Sequence, residues 1–172
     1  MKFSVAQAVA VPPAQVMAAY GSVDFYEGRP TRDDIAVLGV VDHEVSQAGT
    51  IVVEVHYAFR GSVSPAVRRV VDPAKMSWIT RTEILQDEGR GRAIWTVLPD
   101  YYPDRLTSDG AFRFDPTTSS TTSVTVEGDL KVHVPIVGRS VERVIVAGLR
   151  RYIEAEAASI PDFVTRSGTG TG

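Results

Sequence analysis

The sequence predicts a single α+β domain, in which an antiparallel sheet of about seven strands is followed by a long C-terminal helix. Two observations predict this fold class. Apolar and polar residues alternate in most segments up to residue 134, as in half-buried strands, and apolar residues recur at helical spacing from residue 137 onward. The length of 172 residues and the 44% hydrophobic content fit one folded domain with one core.

The first forty residues are predicted to form one strand and short helical segments. Lys2–Val11 alternates apolar residues with small or polar ones and is a predicted strand. Pro12 ends it, and because proline is tolerated in a first helical turn, a short helix is predicted over Pro13–Tyr20, stopped by Gly21. Asp24–Val37 mixes turn residues with apolar ones and is interpreted as holding a second short helix.

The middle of the chain is predicted to form the other strands of the sheet. In the clearest of them the odd-numbered residues from Ile51 to Phe59 are apolar, whereas Glu54 and His56 alternate with them, which predicts one buried face and one wet face. Turn residues separate the segments. The predicted strands lie within Val40–Arg60, where Ala48-Gly49 splits two of them, and at Lys75–Gln86, Arg92–Pro99, Thr107–Asp115 and Ser123–Val134.

The C-terminal third is predicted to form one long amphipathic helix. From Val137 apolar residues recur at steps of three and four, and charged residues occupy the other side. We expect the helix to end at Pro161. The apolar stripe is too short to indicate a coiled-coil seam, so it is expected to close on the sheet. The stripe includes Val141, Val144, Ile145, Gly148, Leu149, Tyr152 and Ile153.

The composition argues against several classes of function. A net charge of −3 without a dense run of Lys or Arg argues against nucleic acid as a partner. The absence of cysteine excludes disulfides, thiolate metal sites and thiol nucleophiles, and it fits a cytoplasmic location. The N-terminal segment lacks a signal-peptide core, and no window approaches the ~20 apolar residues of a membrane span. Stable membrane insertion is therefore not expected.

The polar residues that could carry catalysis or bind a metal are scattered. His43, His56 and His133 fall in separate strands without the spacing of metal ligands, and we interpret them as surface residues. Asp33 and Asp34 are sequence neighbours, which diverge on a loop instead of facing one another across a cleft. No nucleotide-binding or hydrolase motif occurs. We therefore predict no metal, no cofactor and no catalytic residue.

A resemblance to a known family rests on five segments that together span nearly the whole chain. They are MKFSVAQ at the start, VEVHYAFRG from Val53, VRRVVDPAKMSWI from Val67, WTVLPDYYPDR from Trp95 and VEGDLKVHVPIVGRSVERVIVAGL from Val126. On these segments the chain resembles an actinobacterial family of unknown function within the START-like (SRPBCC) superfamily, which includes polyketide cyclases, birch-pollen-allergen-type proteins and lipid-transfer domains.

The resemblance implies a helix-grip fold, in which a curved sheet and the terminal helix enclose an apolar cavity. On this reading residues 1–164 form the START-like domain, and residues 165–172 are a flexible Gly/Thr tail. The cavity is expected to bind a ligand between the concave sheet face and the helix. The predicted lining is Val55, Tyr57, Phe59, Trp78, Thr80, Trp95, Phe112 and Phe114 from the sheet, with Ile145, Gly148 and Tyr152 from the helix.

Four of these residues carry particular expectations. Tyr57, Thr80 and Tyr152 are the polar groups that could orient a bound carbonyl or hydroxyl. Gly148 costs about 1 kcal/mol relative to alanine inside a helix, so either a close approach of the helix to a strand or room for a ligand is expected to offset that cost. The alternative for the whole set is that these residues form an ordinary filled core.

The turn Pro99–Arg105 carries two aromatic residues, Tyr101 and Tyr102, beside charged ones. In a helix-grip fold such a loop lies near the cavity mouth. One interpretation is a rigid hairpin connection with an internal Asp–Arg pair. The other is a protein partner at Tyr101 and Tyr102, because Tyr and Arg are enriched at binding hot spots.

Three functions remain open at this point. A carrier of a small hydrophobic molecule, lipid-, isoprenoid- or polyketide-like, follows from the resemblance and from the apolar inward residues. An enzyme of the cyclase or dehydratase type is the alternative, although catalysis of that kind needs an acid or base within hydrogen-bond reach of the substrate, and the predicted inward residues include no His, Asp or Glu. A protein-interaction module without a ligand is the third.

Overall fold

Seven strands form one antiparallel sheet in the computed structural model, which describes residues 1–27, 34–69, 71–87 and 90–168. The strands are β1 (Lys2–Val9), β2 (Ile35–Val45), β3 (Ile51–Phe59), β4 (Ser77–Asp87), β5 (Arg90–Pro99), β6 (Leu106–Thr118) and β7 (Thr121–Val132). Strands β2 to β7 lie side by side in chain order, and β1 pairs with β7. This meander confirms the predicted α+β fold class.

Strand pairing aligns the inward residues in rows that cross the sheet. In one such row Gly128, Gly110, Trp95, Thr82 and Val53 are successive partners on β7, β6, β5, β4 and β3. Trp95 and Thr82 are buried and Val53 is fully buried, so this row lies on the covered, concave face. The alternation that predicted the strands thus also orients their side chains.

Among the described residues, four α-helices accompany the sheet: α1 (Pro13–Tyr20), α2 (Val23–Glu27), α3 (Pro65–Arg68) and α4 (Gly138–Gly168). The two predicted N-terminal helices are confirmed as α1 and α2. A 3₁₀ turn at Pro73–Lys75 follows α3. Helix α4 contacts β1 and β7 and buries a single stripe of residues. No helix in the described part of the chain has the length and apolarity that would span a membrane.

Two predicted boundaries are wrong. Strand β2 begins at Ile35 instead of Val40, because its first residues pair with the end of β3 and are buried there. Helix α4 does not end at Pro161 but continues to Gly168. Packing explains this: Ile160 is fully buried, and the Phe163 ring meets the Phe25 ring edge-on at 5.2 Å between centroids. Residues 165–168 are therefore helical, and residues 169–172 lie outside the described residues.

Candidate functional site

A cavity of about 160 Å³ lies between the concave face of the sheet and helix α4. Its wall is mostly aromatic and aliphatic, drawn from β3 to β7 and from α4. The helix contributes residues at successive turns, among them Val141, Ile145, Leu149 and Tyr152. Such spacing presents one face of the helix to the cavity. The predicted closure of the sheet by this stripe is therefore what the geometry shows.

Eight of the eleven predicted pocket residues line this cavity. The Tyr57 and Trp78 rings stack at 5.9 Å between centroids, and Tyr152 meets Tyr57 edge-on at 5.7 Å, so aromatic rings from sheet and helix make up one wall. Whether these residues bind a ligand stays a prediction. The eight are Tyr57, Phe59, Trp78, Thr80, Trp95, Phe112, Ile145 and Tyr152.

Three predicted pocket residues do not line the cavity. Phe114 is fully buried because Tyr20 of α1 packs on it at 5.7 Å between ring centroids. Val55 is 2% exposed within the core. Gly148 faces Asp34 and Phe59, and a Cβ built there would lie 3.7 Å from Asp34 and 3.9 Å from Phe59. Among the described residues this leaves space for a methyl group, so neither close approach nor a ligand explains the glycine.

Sequence reasoning missed the buried polar residues of the cavity. Glu156 is 4% exposed and lines the cavity from α4, and Ser108 is 4% exposed and lines it from β6. Glu156 follows Tyr152 by one helical turn and precedes Ile160 by another, so its position on the apolar stripe was readable from the spacing. Extending the predicted stripe past Ile153 would have found it.

The Trp95 indole lies flat on the sheet because two glycines make room for it. A Cβ at Gly128 would lie 2.5 Å from Trp95 Cζ2 and 2.8 Å from the Phe3 ring. A Cβ at Gly110 would lie 2.5 Å from the same indole carbon and 2.0 Å from the carbonyl oxygen of Glu127. Both contacts are too short for any side chain, so the two glycines fix where the indole borders the cavity.

The predicted loop Pro99–Arg105 does lie at the cavity, with two cation–aromatic pairs. Lys75 Nζ is 5.8 Å from the centre of the Tyr101 ring, and the Arg105 guanidinium is 5.1 Å from the centre of the Tyr102 ring. All four residues line the cavity, and Tyr101 is half exposed, which identifies this end as the mouth. A protein partner at Tyr101 and Tyr102 stays a prediction.

Asp100, at the start of the mouth loop, pairs with residues of the neighbouring strands. His56 Nε2 lies 2.6 Å from its carboxylate, and the Ser77 hydroxyl donates to the same oxygen. The Asp–Arg pair expected within the loop stays a prediction. Burial acts to raise the pKa of Asp100, but the hydrogen bonds from Ser77 and His56 outweigh it, so the pKa of Asp100 lies below its ordinary value.

The other candidate polar residues lie apart. His43 bonds the carbonyl of Gly21 at 2.9 Å, and His133 is exposed on the opposite side of the sheet from the cavity. Asp34 pairs with Arg151 of α4, and Asp33 lies outside the described residues. Within residues 1–27, 34–69, 71–87 and 90–168, no three His, Asp or Glu residues come together as metal ligands would.

Several solved structures share this fold across nearly the whole chain. An aromatase/cyclase, Zhui from Streptomyces sp. R1128, has a TM-score of 0.62 at 14% identity, over 100% of this chain and 98% of that chain. A START superfamily protein from Mycobacterium smegmatis has a TM-score of 0.58 at 13% identity, over 94% and 98%. Human STARD10 has a TM-score of 0.61 at 12% identity, over 96% and 66%. At such low identities the similarity shows the fold alone.

The family comparison covers most of the chain. No curated protein matches the sequence. The family described as "Protein of unknown function (DUF2505)" matches residues 4–164. An actinobacterial origin stays a prediction. With a helix-grip sheet, a terminal helix over a cavity and this match, the chain belongs to the DUF2505 family of proteins of unknown function and has a START-like fold.

Proposed function

We propose that this protein binds a small hydrophobic molecule in the cavity under α4 and carries it without chemical change. One observation carries the proposal: a cavity of about 160 Å³ lies inside the core and opens at the mouth, walled mainly by aromatic and aliphatic side chains. Empty space in a core forfeits packing interactions, so a filled cavity is more stable than an empty one. A lipid-, isoprenoid- or polyketide-like molecule has the apolar surface that such a wall favours.

The structural neighbours support the same ligand class. One of them is named an aromatase/cyclase and another a START superfamily protein, and both share the sheet and helix that form the cavity here. The polar exceptions in the wall are few, which is the usual composition of a site that holds an apolar body and orients it by a small number of hydrogen bonds. The cytoplasmic location predicted from the sequence is part of this proposal.

Native mass spectrometry of the protein purified from its own host tests the proposal, together with titration of a hydrophobic fluorophore. Val97→Phe places an aromatic ring in the cavity wall, and Leu98→Phe places one on the neighbouring residue, which is 47% exposed. We expect Val97→Phe to weaken fluorophore binding about tenfold or more, because overpacking of a filled site costs about 1–3 kcal/mol. Leu98→Phe is the matched control.

The proposal fails if wild-type protein carries no co-purifying molecule and shows no saturable fluorophore binding. It also fails if Leu98→Phe weakens binding as much as Val97→Phe does, since the fluorophore would then bind the outer face of the sheet. Thermal unfolding of both variants shows whether the fold is intact.

Glu156 favours a second candidate, an enzyme of the cyclase or dehydratase type. Glu156 is 4% exposed and lines the cavity, so it offers the acid or base that the sequence-predicted wall lacked. A carboxyl group within reach of a bound substrate can move protons during ring closure or loss of water. Tyr152, one turn earlier on the same helix face, borders the same space.

Glu156→Gln separates the two candidates, because it keeps the shape of the side chain and removes its ability to exchange a proton. The hydrophobic extract of the host is incubated with wild-type protein and with the variant, and bound molecules are compared by mass. A species lighter by one water molecule with wild type and absent with Glu156→Gln supports the enzyme. Identical bound molecules in both samples support the carrier.

A further inference from the structure

Two residues that line the cavity each carry a buried polar atom without a hydrogen-bond partner in the described part of the chain: the indole Nε1 of Trp95 and the hydroxyl Oγ of Ser108. Trp95 is 6% exposed and Ser108 is 4% exposed, and both residues line the cavity. Leaving a buried polar group without a partner is unfavourable, because its hydration is lost and nothing replaces it. These two atoms are therefore places where an occupant of the cavity would gain a hydrogen bond.

The two atoms belong to adjoining parts of the wall. Trp95 Cε2, the ring carbon bonded to Nε1, lies 2.7 Å from the Cβ position of Gly110. Ser108 precedes Gly110 by two residues on β6 and points to the same face, about 7 Å along the strand. The indole N–H and the Ser108 hydroxyl therefore belong to the same region of the cavity wall.

The chemistry of these groups defines what they would bind. An indole N–H only donates, and a serine hydroxyl donates or accepts, so the complementary group is a hydrogen-bond acceptor. Among the described residues that line the cavity, the cations are Lys75 and Arg105, both exposed at the mouth. An anion held beside Trp95 would thus be buried away from them, at high cost. A neutral oxygen fits better than a carboxylate or phosphate.

We propose that the ligand carries a neutral oxygen acceptor, such as a ketone, ester or ether oxygen, which receives hydrogen bonds from Trp95 Nε1 and Ser108 Oγ while its apolar body fills the remaining cavity. This inference rests on the proposed binding function and adds the polar chemistry of the ligand. It also orients the ligand, because Trp95 and Ser108 lie deeper in the sheet than Lys75 and Tyr101 at the mouth.

The test uses acetophenone and α-methylstyrene, in which a methylene group replaces the ketone oxygen and the planar shape is kept. Nitrogen–proton correlation NMR of wild-type protein follows the two indole N–H signals, and Trp95→Phe assigns the signal of Trp95. We expect acetophenone to shift the Trp95 signal downfield, as hydrogen bonding does, and α-methylstyrene to leave it without a downfield shift.

Affinity measurements on Ser108→Ala give the second readout. The variant should bind acetophenone about three- to tenfold more weakly than wild type, the loss typical of one neutral hydrogen bond, and bind α-methylstyrene unchanged. Ser123→Ala is the matched control, because it removes a hydroxyl from the opposite face of β7. If Ser108→Ala does not fold, the NMR comparison on wild-type protein decides alone.

The outcomes separate this inference from the function on which it rests. Suppose that both probes bind wild type, shift the Trp95 signal alike and bind Ser108→Ala as tightly as wild type. The oxygen-acceptor proposal is then overturned, while hydrophobic binding stands. If neither probe nor the hydrophobic fluorophore binds wild type, the proposed function fails and this inference fails with it.

Discussion

At one end of the concave face Phe114 is fully buried under Tyr20 of α1, whereas at the other end Trp78 borders an open cavity. Both are aromatic residues that point inward from one sheet, Phe114 from β6 and Trp78 from β4, with β5 between them. They differ in what covers them. The first end receives α1 and α2 as well as the end of α4, and the second receives α4 with the mouth loop and the 3₁₀ turn that contains Lys75. The cavity lies at the end that α1 leaves uncovered.

The packed end is an aromatic cluster with little freedom. Tyr20 lies 5.1 Å from Phe112 and 5.8 Å from Phe25 between ring centroids, and Phe25 in turn meets Phe163. Aromatic pairs at such distances contribute beyond their area of burial. We infer that this end holds the fold together and so allows the other end to stay hollow.

The largest expected effect is on the packed end. Phe114→Ala should lower the free energy of unfolding by about 3–5 kcal/mol, because it leaves a cavity under Tyr20 where the side chain is fully buried. Trp78→Ala should lower the free energy of unfolding by less than Phe114→Ala does, since it only widens an existing space. It should weaken ligand binding by more. Urea denaturation of both variants checks the order, and a larger stability loss from Trp78→Ala would contradict the comparison.

The second prediction concerns the space around Gly148, between α4 and the sheet. Gly148→Leu should destabilise the protein by about 1–3 kcal/mol, because the side chain would run into Asp34 and Phe59. Gly148→Ala should instead be neutral or stabilising by up to about 1 kcal/mol, since a Cβ fits and helix propensity improves. Thermal unfolding measures both. Loss of ligand binding by Gly148→Leu at unchanged stability would mean that residue 148 faces the cavity.

The third prediction tests the polar tie at the packed end. Thr122 is fully buried on β7, and its hydroxyl donates to the carbonyl of Val11 at 2.7 Å, which anchors the turn between β1 and α1. Thr122→Val keeps the shape and leaves that carbonyl without its partner, which should cost about 1–2 kcal/mol. Thr125→Val, on the other face of β7, is the control in the same denaturation experiment. If both variants lowered the free energy of unfolding equally, the hydrogen bond from Thr122 to Val11 would contribute nothing to stability.

The smallest expected effect is at the mouth. Because the pKa of Asp100 is lowered, this carboxylate contributes stability that is fully present above the unfolded-state pKa near ~3.9 and is lost as pH falls through the lower pKa of the folded state. Asp100→Asn should therefore destabilise by about 0.5 kcal/mol or less at neutral pH, and the difference from wild type should vanish in acid. Denaturation as a function of pH measures it. If the difference in unfolding free energy between wild type and Asp100→Asn grew as the pH fell, the prediction would be contradicted.

The alternation of apolar and polar residues in the strands, together with the helical spacing of apolar residues in α4, was sufficient to predict the fold class and most of the inward residues. They could not distinguish Phe112, which lines the cavity, from Phe114, which does not, because the two occupy equivalent positions on β6. Tyr20 of α1 contacts both rings, but only Phe114 is fully buried, and no local pattern encodes such tertiary contacts. The predicted end of α4 was wrong for the same reason, since the packing of Ile160 and Phe163 against the core overrides the local effect of Pro161.

Glu156 and Ser108 were missed for a different reason. Both occupy positions that the periodicity marks as inward, but the predicted stripe of α4 ends at Ile153, and the predicted pocket residues of β6 are its two phenylalanines. A buried polar residue at a patterned position is more informative about function than an apolar one, because its burial must be compensated. The interior of this protein is predictable in outline from its apolar residues and in chemistry from its few polar ones.

The packing of the Trp95 indole over two glycines limits which substitutions the chain can accept at these positions. At position 110 a side chain would strike the backbone oxygen of Glu127, so no exchange of other side chains can make room for one. At position 128 the obstacles are only the rings of Trp95 and Phe3. Paired substitutions can therefore move side-chain volume from residue 95 to residue 128 and so reshape the cavity wall, whereas any side chain at residue 110 requires the backbone of β7 to shift.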